Sequence, residues 1–420
     1  MSIKVLLINQ HFYPEIAATA QLLTDLAEDL TKAGIEVRVL AGRPSYLASR
    51  ESESRESLEP TSNFASKELY HGIEICRVLN TRFSRKSWAG RFANWISFYF
   101  LAFLRALWLP RPDLVVCLST PPLISLTGLL LKRLKGCKFL FWCQDLYPDI
   151  ALALGMLRPG GVARVSEGIS RAIYREADGI VVVSEGMKRG LLAKGVKEEQ
   201  IDVIHNWADG QEIYPLEPGA NPFRQEVLPD GRFVVSYSGN MGHSHDFSAI
   251  LNAMERVRNE EGIRFLIIGD GIGKRNIEEF IAEKDLHNVI LLPFQPRERL
   301  CQILNAADVS LVSLRPEAEG QVMPSKLYGY MAAGKPIIAV ASEGSEAARM
   351  VKACGMGAVA ENGEELEEAI MKLYREPDLR ARMGSSARRA FLENFDRPLA
   401  TGRFKALIEE VMGREVYKKP

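Results

Sequence analysis

At 420 residues the chain exceeds what one ordinary core supports, and about 150 residues per domain predicts two large domains. Its 47% hydrophobic and 25% charged residues, with 53 basic against 53 acidic side chains, describe a soluble globular protein and give no reason to expect a nucleic-acid partner. Six cysteines (Cys76, Cys117, Cys137, Cys143, Cys301, Cys354) form no C-x-x-C pair and read as reduced core residues of a cytoplasmic protein.

The N-terminus enters a strand pattern, IKVLLIN, without a signal-peptide pattern. Short β-branched runs then alternate with helix-length periodic segments, the pattern of parallel α/β architecture. The first series of expected strands covers 3–9, 35–41, 73–79, 113–119, 137–143, 179–183 and 201–205. Runs such as LVVCL and KFLFW are apolar throughout, as strands covered on both faces require. A second series covers 232–238, 263–268, 288–292, 308–313, 336–340 and 357–360, so each series can build its own doubly wound, Rossmann-like sheet. Domains are expected over 1–205 and 231–397, with 206–230, rich in Pro, Gly and charge, as the hinge. A final helix over 398–413 is expected to brace the first domain. Pro44 to Lys67, polar and aperiodic, reads as a mobile surface loop. The longest apolar stretch, Trp95 to Leu109, is broken by Arg105 and is shorter than the roughly 18 residues of a membrane span.

In doubly wound sheets ligands sit beyond the carboxyl ends of the strands, so the loops there are the places to search. The first is NQHFYPEIAATAQLL, where the small Ala17, Ala18 and Thr19 open a helix and let backbone amides approach a sugar or an anion. Tight helix-on-sheet packing explains the same residues, and His11 fits either a catalytic or an ordinary loop role. Next, QDLYPDIALALG sets Gln144, Asp145 and Asp149 among apolar residues, with Asp149 also suited to capping the helix that follows. HNWAD follows the strand at 201–205. In the second half, SYSGNMGHSHD offers Gly239 and Gly242 for close backbone approach, and Asn240, His243 and His245 as hydrogen-bond donors. GDGIGKRNIEEF brings Lys274 and Arg275 to a helix start, where cations and free amides favour phosphate, although ordinary turn chemistry gives the same pattern. Last comes EAEGQVMPSKLYGYMAAGKPIIAV, a helix opened by Pro324, Ser325 and Lys326, with amides up to Leu327 and Tyr328 aimed at an anion and Glu319 placed to accept from sugar hydroxyls.

The order and spacing of FYPEIAATA, QDLYPD, HNWAD, SGNMG, GDG and EGQVMPSKLYGYMAAGKP resemble the family 4 retaining glycosyltransferases of the GT-B fold, and within them the bacterial O-antigen, capsule and colanic-acid subgroup. The resemblance implies two Rossmann-like domains facing across a cleft, an N-terminal acceptor domain and a C-terminal donor domain. It implies transfer from a nucleotide sugar, with UDP favoured, to an acceptor hydroxyl, with no metal or other cofactor. Glu319 matches the first of the family's two glutamates; the second falls on Gly329. The family's diphosphate-binding Arg and Lys correspond to Asn240 and His245, which moves the phosphate expectation to Ser325, Lys326, Lys274 and Arg275. Asp145 and His11 stand as candidates beside the acceptor. Two other readings are weighed: a UDP-sugar 2-epimerase of the same fold, and a dinucleotide-dependent oxidoreductase, for which the first strand lacks G-x-G-x-x-G.

Between Arg82 and Lys135 lie nine basic residues (Arg82, Arg85, Lys86, Arg91, Arg105, Arg111, Lys132, Arg133, Lys135) and one acidic residue, Asp113, interleaved with Trp88, Phe92, Trp95, Phe98, Tyr99, Phe100, Phe103 and Trp108. That mixture predicts peripheral contact with the inner face of the cytoplasmic membrane, where a polyprenyl-diphosphate-linked acceptor would lie.

Overall fold

The computed structural model describes residues 2–15, 17–44, 65–78 and 88–413, with backbone alone for 65, 66, 88–96 and 218. Packing divides them into two units, one of residues up to His205 together with those from Thr401 onward, the other Asn206–Ala400.

The first unit is built on β1 (Lys4–Ile8), β2 (Glu36–Gly42), β3 (Ala65–Tyr70), β4 (Ile73–Val78), β5 (Leu114–Leu118), β6 (Lys138–Cys143), β7 (Gly179–Val182) and β8 (Ile201–Val203). Their order is β3-β4-β2-β1-β5-β6-β7-β8, with β3 antiparallel to β4 and the other pairings parallel. The chain winds outward from β1 to β4, then restarts at β5 on the other side of β1. The reversal therefore lies between β1 and β5, where the loops that follow both strands part and leave a crevice.

The second unit carries β9 (Phe233–Ser238), β10 (Ile263–Ile268), β11 (Val289–Leu292), β12 (Val309–Ser313), β13 (Ile337–Val340) and β14 (Gly357–Ala360). All are parallel, in the order β11-β10-β9-β12-β13-β14, with the reversal between β9 and β12. The doubly wound α/β fold expected from the alternating pattern is the fold of both units. Its central strands, such as β5 and β13, are buried at every position, because helices shield both faces.

Three expectations need correction. Within 44–67, residues 45–64 lie outside the described residues, but Ala65–Lys67 open strand β3 rather than a loop. ASKELY carries no apolar run because β3 is an edge strand with Leu69 79% exposed, and Arg77 of β4, itself buried, anchors it by an ion pair with Glu68 at 3.1 Å. The segment 210–230 is not an irregular hinge either. Asn221 caps a helix, Pro222–Val227, by accepting from the amides of Phe223 and Arg224, and Phe223 is buried with Val234, Leu266 and Ile303. Arg224 pairs with Asp308 at 2.8 Å, which ties that helix to the sheet of the second unit. Of the cysteines, Cys76, Cys117, Cys137 and Cys143 are buried, whereas Cys301 and Cys354 are only half-buried.

The last helix, Arg397–Gly413, starts in the second unit, where the Asp396 carboxylate accepts from the amides of Gly210 and Arg397, both at 2.9 Å. From Thr401 onward it belongs to the first unit: Phe404 is fully buried with its ring 4.6 Å from that of Trp142 on β6. Truncating such a ring leaves a cavity that costs about 3–5 kcal/mol. Phe404→Ala is expected to lower the urea midpoint of the full chain by that amount of stability, and an unchanged midpoint would show that the C-terminal helix contributes nothing to the first core.

Candidate functional site

At the carboxyl edge of the second sheet, two glycine loops are stitched together. The amide of Gly239, just after β9, donates to Ile268 O at 2.9 Å; the amide of Met241 donates to Asp270 O at 2.9 Å; and that of Gly273 returns to Met241 O at 3.0 Å. Gly269 has φ +148°, and a Cβ there would stand 2.0 Å from Gly239 O. Only glycine permits this approach. Serine 313, at the end of β12, latches the other side: its carbonyl accepts from His245 Nδ1 at 2.8 Å and its hydroxyl accepts from the amide of Asp246 at 2.9 Å.

Lys326 projects into this frame. It starts a helix, Lys326–Ala332, and its side chain lies so close to Gly239 that a Cβ there would be 3.1 Å from Cε and 3.4 Å from Nζ. Its Nζ sits 3.7 Å from the centre of the Tyr237 ring and donates to the Tyr237 hydroxyl, which itself donates to Asn240 O at 2.7 Å. Tyr330, one turn along the helix, accepts from the amide of Ser238 at 2.8 Å, fixing the helix to the end of β9. Among the described residues no carboxylate pairs with Lys326, and burial pushes its ammonium well below the usual lysine value. A half-buried cation held by a π-face and one hydroxyl is under-compensated, and an anion is the partner that would complete it.

The neighbours sort by what they can offer. His245 is pushed down to about 3 by burial and by Lys326, so it is neutral at physiological pH. Its one N–H is spent on Ser313 O, which corrects the expectation of a free donor. Asn240 is exposed, beside the glycine turn at 269–273. Lys274 leans to Glu278 at 3.8 Å, and Arg275 is 84% exposed and paired with Glu279 at 2.7 Å. Arg275 thus faces solvent and is neutralised on its own helix, which removes it from the phosphate candidates. Ser325 precedes the helix in helical geometry and makes no side-chain cap. Leu327 is buried, and the amides of Leu327 and Tyr328 already donate to Pro324 O and Ser325 O at 3.2 and 3.3 Å, so they are not the free donors the PSK turn suggested. Glu319 lies half-buried in the loop after β12 and accepts from the amide of Ser342, beyond β13, at 3.2 Å. At Gly329 a Cβ would stand 3.1 Å from Leu304 Cδ1, so any larger residue there requires that side chain to shift.

In the first unit His11 follows β1 and Asp145 follows β6, two strands away at the same edge. His11 Nδ1 contacts the buried carboxylate of Glu15, an arrangement that fixes the imidazole ring. Ala17 occupies the cap position of the helix Ala18–Lys32 and its carbonyl accepts from Ala20 and Gln21; Ala18 is exposed and Thr19 half-buried. One hydroxyl, Ser119 Oγ, accepts from the amides of both Gln144 and Asp145, at 2.9 and 3.0 Å. Gln144 is buried. Burial raises Asp145 to about 6, beside a cavity of about 10 Å³ that it lines with Ser119, Tyr147 and Ser170. Asp149 pairs with Lys194 at 2.9 Å, and Lys194 also binds Glu167 at 2.9 Å. It sits inside the helix Asp149–Ala153 rather than at its cap, and this network accounts for its charge.

The basic segment also resolves differently from its residue count. Arg82, Arg85 and Lys86 lie outside the described residues, as do the side chains of Trp88, Arg91, Phe92 and Trp95. Lys132 pairs with Asp178 at 2.7 Å and Arg133 with Glu176 at 2.9 Å, while Lys135 donates to Ala106 O at 2.8 Å at the end of the helix Trp88–Trp108. The compensating acids come from 176–178, beyond the stretch over which the charge was counted. Phe98 is buried, but Phe100, Leu104 and Trp108 are 62%, 37% and 83% exposed, at helical spacing of four on one face. No helix among the described residues is long and apolar enough to cross a membrane, and no group of three or more His, Cys, Asp or Glu among them could hold a metal ion.

Tyr237, Ser313, Ser342, Ser119 and Glu15 were not singled out from sequence. Each is a strand-end or loop residue of unremarkable type, whose role comes from a partner far along the chain. Sequence comparison matches residues 18–207 to the family described as Glycosyl transferase 4-like domain and residues 220–390 to Glycosyl transferases group 1. The chain is 25% identical over 373 residues to the putative colanic acid biosynthesis glycosyl transferase WcaI of Escherichia coli (strain K12), covering 87% of this chain and 90% of the relative. It is 30% identical over 248 residues to the probable glycosyltransferase WbjE of Pseudomonas aeruginosa, covering 59% and 62%. Among solved structures, Anabaena HepE in complex with UDP-glucose superposes with a TM-score of 0.71 at 16% identity, covering 97% of this chain and 100% of that one.

The raised Asp145 gives a pH test. The native state binds more protons than the unfolded chain between about pH 4 and 6, so this carboxyl makes stability fall as pH rises through that window. Asp145→Asn is expected to be more stable than the parent at pH 7, by up to about 2–3 kcal/mol, and equal to it at pH 4. Urea unfolding at the two pH values reads the difference. A variant less stable at pH 7 would mean that contacts favour the ionised carboxylate.

Proposed function

Because the chain belongs to the glycosyltransferases of the GT-B fold and family 4 type, we propose that it moves a sugar from a UDP-sugar to an acceptor hydroxyl with retention of anomeric configuration, without a metal. The observation that carries this reading is Lys326, a half-buried ammonium with no carboxylate partner among the described residues, set against the close-approach glycine at 239. The donor diphosphate is the anion whose charge it meets, and charge that grows on the leaving group during transfer is stabilised by a cation already in place. Glu319 accepts from sugar hydroxyls, held in position by the amide of Ser342. The bond from the anomeric carbon to the diphosphate oxygen breaks while the bond to the acceptor oxygen forms on the same face. The acceptor proton passes to the departing phosphate oxygen, so no enzymic base is required. UDP as the nucleotide is supported by the likeness to the HepE complex with UDP-glucose.

The acceptor side is assigned to His11, Asp145 and Gln144 in the first unit. The proposed acceptor is a polyprenyl-diphosphate-linked glycan in cell-surface polysaccharide synthesis, a reading supported by the naming of WcaI for colanic acid biosynthesis. Contact with the cytoplasmic face of the membrane then rests on the apolar ridge Phe100, Leu104 and Trp108 more than on charge, since Lys132 and Arg133 are internally paired.

Lys326→Ala is expected to lose UDP affinity and turnover together, by about a hundredfold or more for a charge-assisted contact. Glu319→Gln should keep UDP affinity within a few-fold and depress turnover. Calorimetric titration with UDP and steady-state kinetics separate the two; unchanged UDP affinity in Lys326→Ala would remove Lys326 from the diphosphate site. For the membrane, Trp108→Ser should weaken flotation with anionic vesicles by about tenfold, or about 1.4 kcal/mol, at low and moderate salt alike. Binding that Trp108→Ser leaves intact and salt abolishes would transfer the contact to basic residues such as Arg82, Arg85, Lys86 and Arg91.

A further inference from the structure

The second unit has a recess of about 750 Å³ at the edge of its sheet opposite the glycine loops, where Asp308 precedes β12 and Lys335 and Pro336 precede β13. Its far wall is the helix Pro377–Asn394, which contributes Arg380, Ser385, Arg388 and Arg389. That helix can lie close to the turn before β13 because Gly384 has no Cβ, which would stand 2.4 Å from Gly334 O.

The charges in this recess do not cancel locally. Asp308 is taken by Arg224 at 2.8 Å and by the amide of Val234 at 2.8 Å. Glu217 and Glu393 are exposed on the rim. Arg388 spends its guanidinium on carbonyls, donating to Ala332 O at 2.7 Å, Ile213 O at 3.0 Å and Gly210 O at 3.3 Å, so it brings a positive charge into the wall without a carboxylate. Arg380 likewise donates to Leu373 O at 2.7 Å. Lys335 differs from both: it is half-buried, and among the described residues its ammonium has neither a hydrogen-bond acceptor nor an ion-pair partner, a state in which burial pushes it down to about 8. Arg388 answers backbone carbonyls at a chain crossing; Lys335 makes no hydrogen bond or ion pair among the described residues, with only the longer-range charges of Asp308 and Glu217 acting on it.

We infer that this recess is a second anion site, separate from the donor site, built for a phosphorylated small metabolite whose phosphate meets Lys335 and Arg389 and whose body rests on Leu216, Pro336 and Leu392. Its volume lies in the range of small-ligand pockets, and an apolar lining with a few convergent cations is the composition such pockets show. A free ammonium and an exposed guanidinium on facing walls suit a phosphate better than a carboxylate, because three acceptor oxygens can be shared between both walls.

The test is calorimetric titration of the full chain with inorganic pyrophosphate and with glucose 6-phosphate, glucose serving as the uncharged control. It is made in the Lys326→Ala background, so that the donor site does not report. Both phosphates are expected to bind there, glucose is not, and Lys335→Met or Arg389→Ala should each weaken binding by at least about tenfold. At pH 8.5, binding should take up protons, because an anion beside Lys335 raises its pKa from about 8. Arg389 is exposed, so its variant tests the site even if Lys335→Met alters folding. Absence of binding by either phosphate in the Lys326→Ala protein overturns the inference, as does binding that Arg389→Ala and Lys335→Met leave unchanged.

Discussion

The C-terminal unit is organised around one electrostatic problem, a lysine ammonium drawn half out of water with no carboxylate among the described residues to meet it. A π-face and a single phenol oxygen hold Lys326 in place but do not neutralise it. Everything that fixes its position is itself fixed by backbone. The Tyr237 hydroxyl is tied to Asn240 O, Tyr330 to the amide of Ser238, and Gly239 to Ile268 O. A second cation at His245 is suppressed by the first, since burial and Lys326 together keep that imidazole neutral. The outcome is one concentrated positive charge at the reversal point of the sheet, where the topology already opens a crevice.

The two units solve the same architectural task with opposite chemistry. In each, the winding reverses beside the first strand, and the loops there gather residues that the fold alone does not need. The first unit raises a carboxyl, Asp145, by burial; the second lowers an ammonium, Lys326, by the same cause. Neither group is relieved by an ion-pair partner among the described residues, whereas Asp149, four residues from Asp145 in the same motif, is paired with Lys194. Charges that serve the fold are paired; charges left unpaired and desolvated are where chemistry is to be sought.

Much of this was legible in the sequence, because parallel strands covered on both faces have little choice but to be apolar throughout. All thirteen anticipated strands are present, and the edge strand β3 was missed because ASKELY, with one face open, has no such run. The helix within 210–230 was missed although Asn221-Pro222 is a cap signal, since a six-residue helix leaves too little periodicity to show. Site residues divided along the same line. Lys326 and Glu319 stand in a motif whose spacing is local, and the structure puts both among loops at the expected sheet edge. Arg275 and the Lys132–Lys135 cations were misread because their partners, Glu279, Asp178 and Glu176, are matters of side-chain direction or of contacts some forty residues away.

That distinction explains why counting charge along a segment is a poor guide to surface potential in this fold class. In a doubly wound sheet a helix packs beside the helices and turns of other crossovers, so the charges it meets in space can lie far from it in sequence. The helix Ser125–Lys135 ends in three cations that look like a basic patch until the turn before β7 supplies its carboxylates. Apolar exposure does not cancel in this way, because no distant residue can neutralise a side chain that water still reaches. Trp108, 83% exposed at the end of its helix, therefore says more about what the first unit touches than the whole count of lysines and arginines around it.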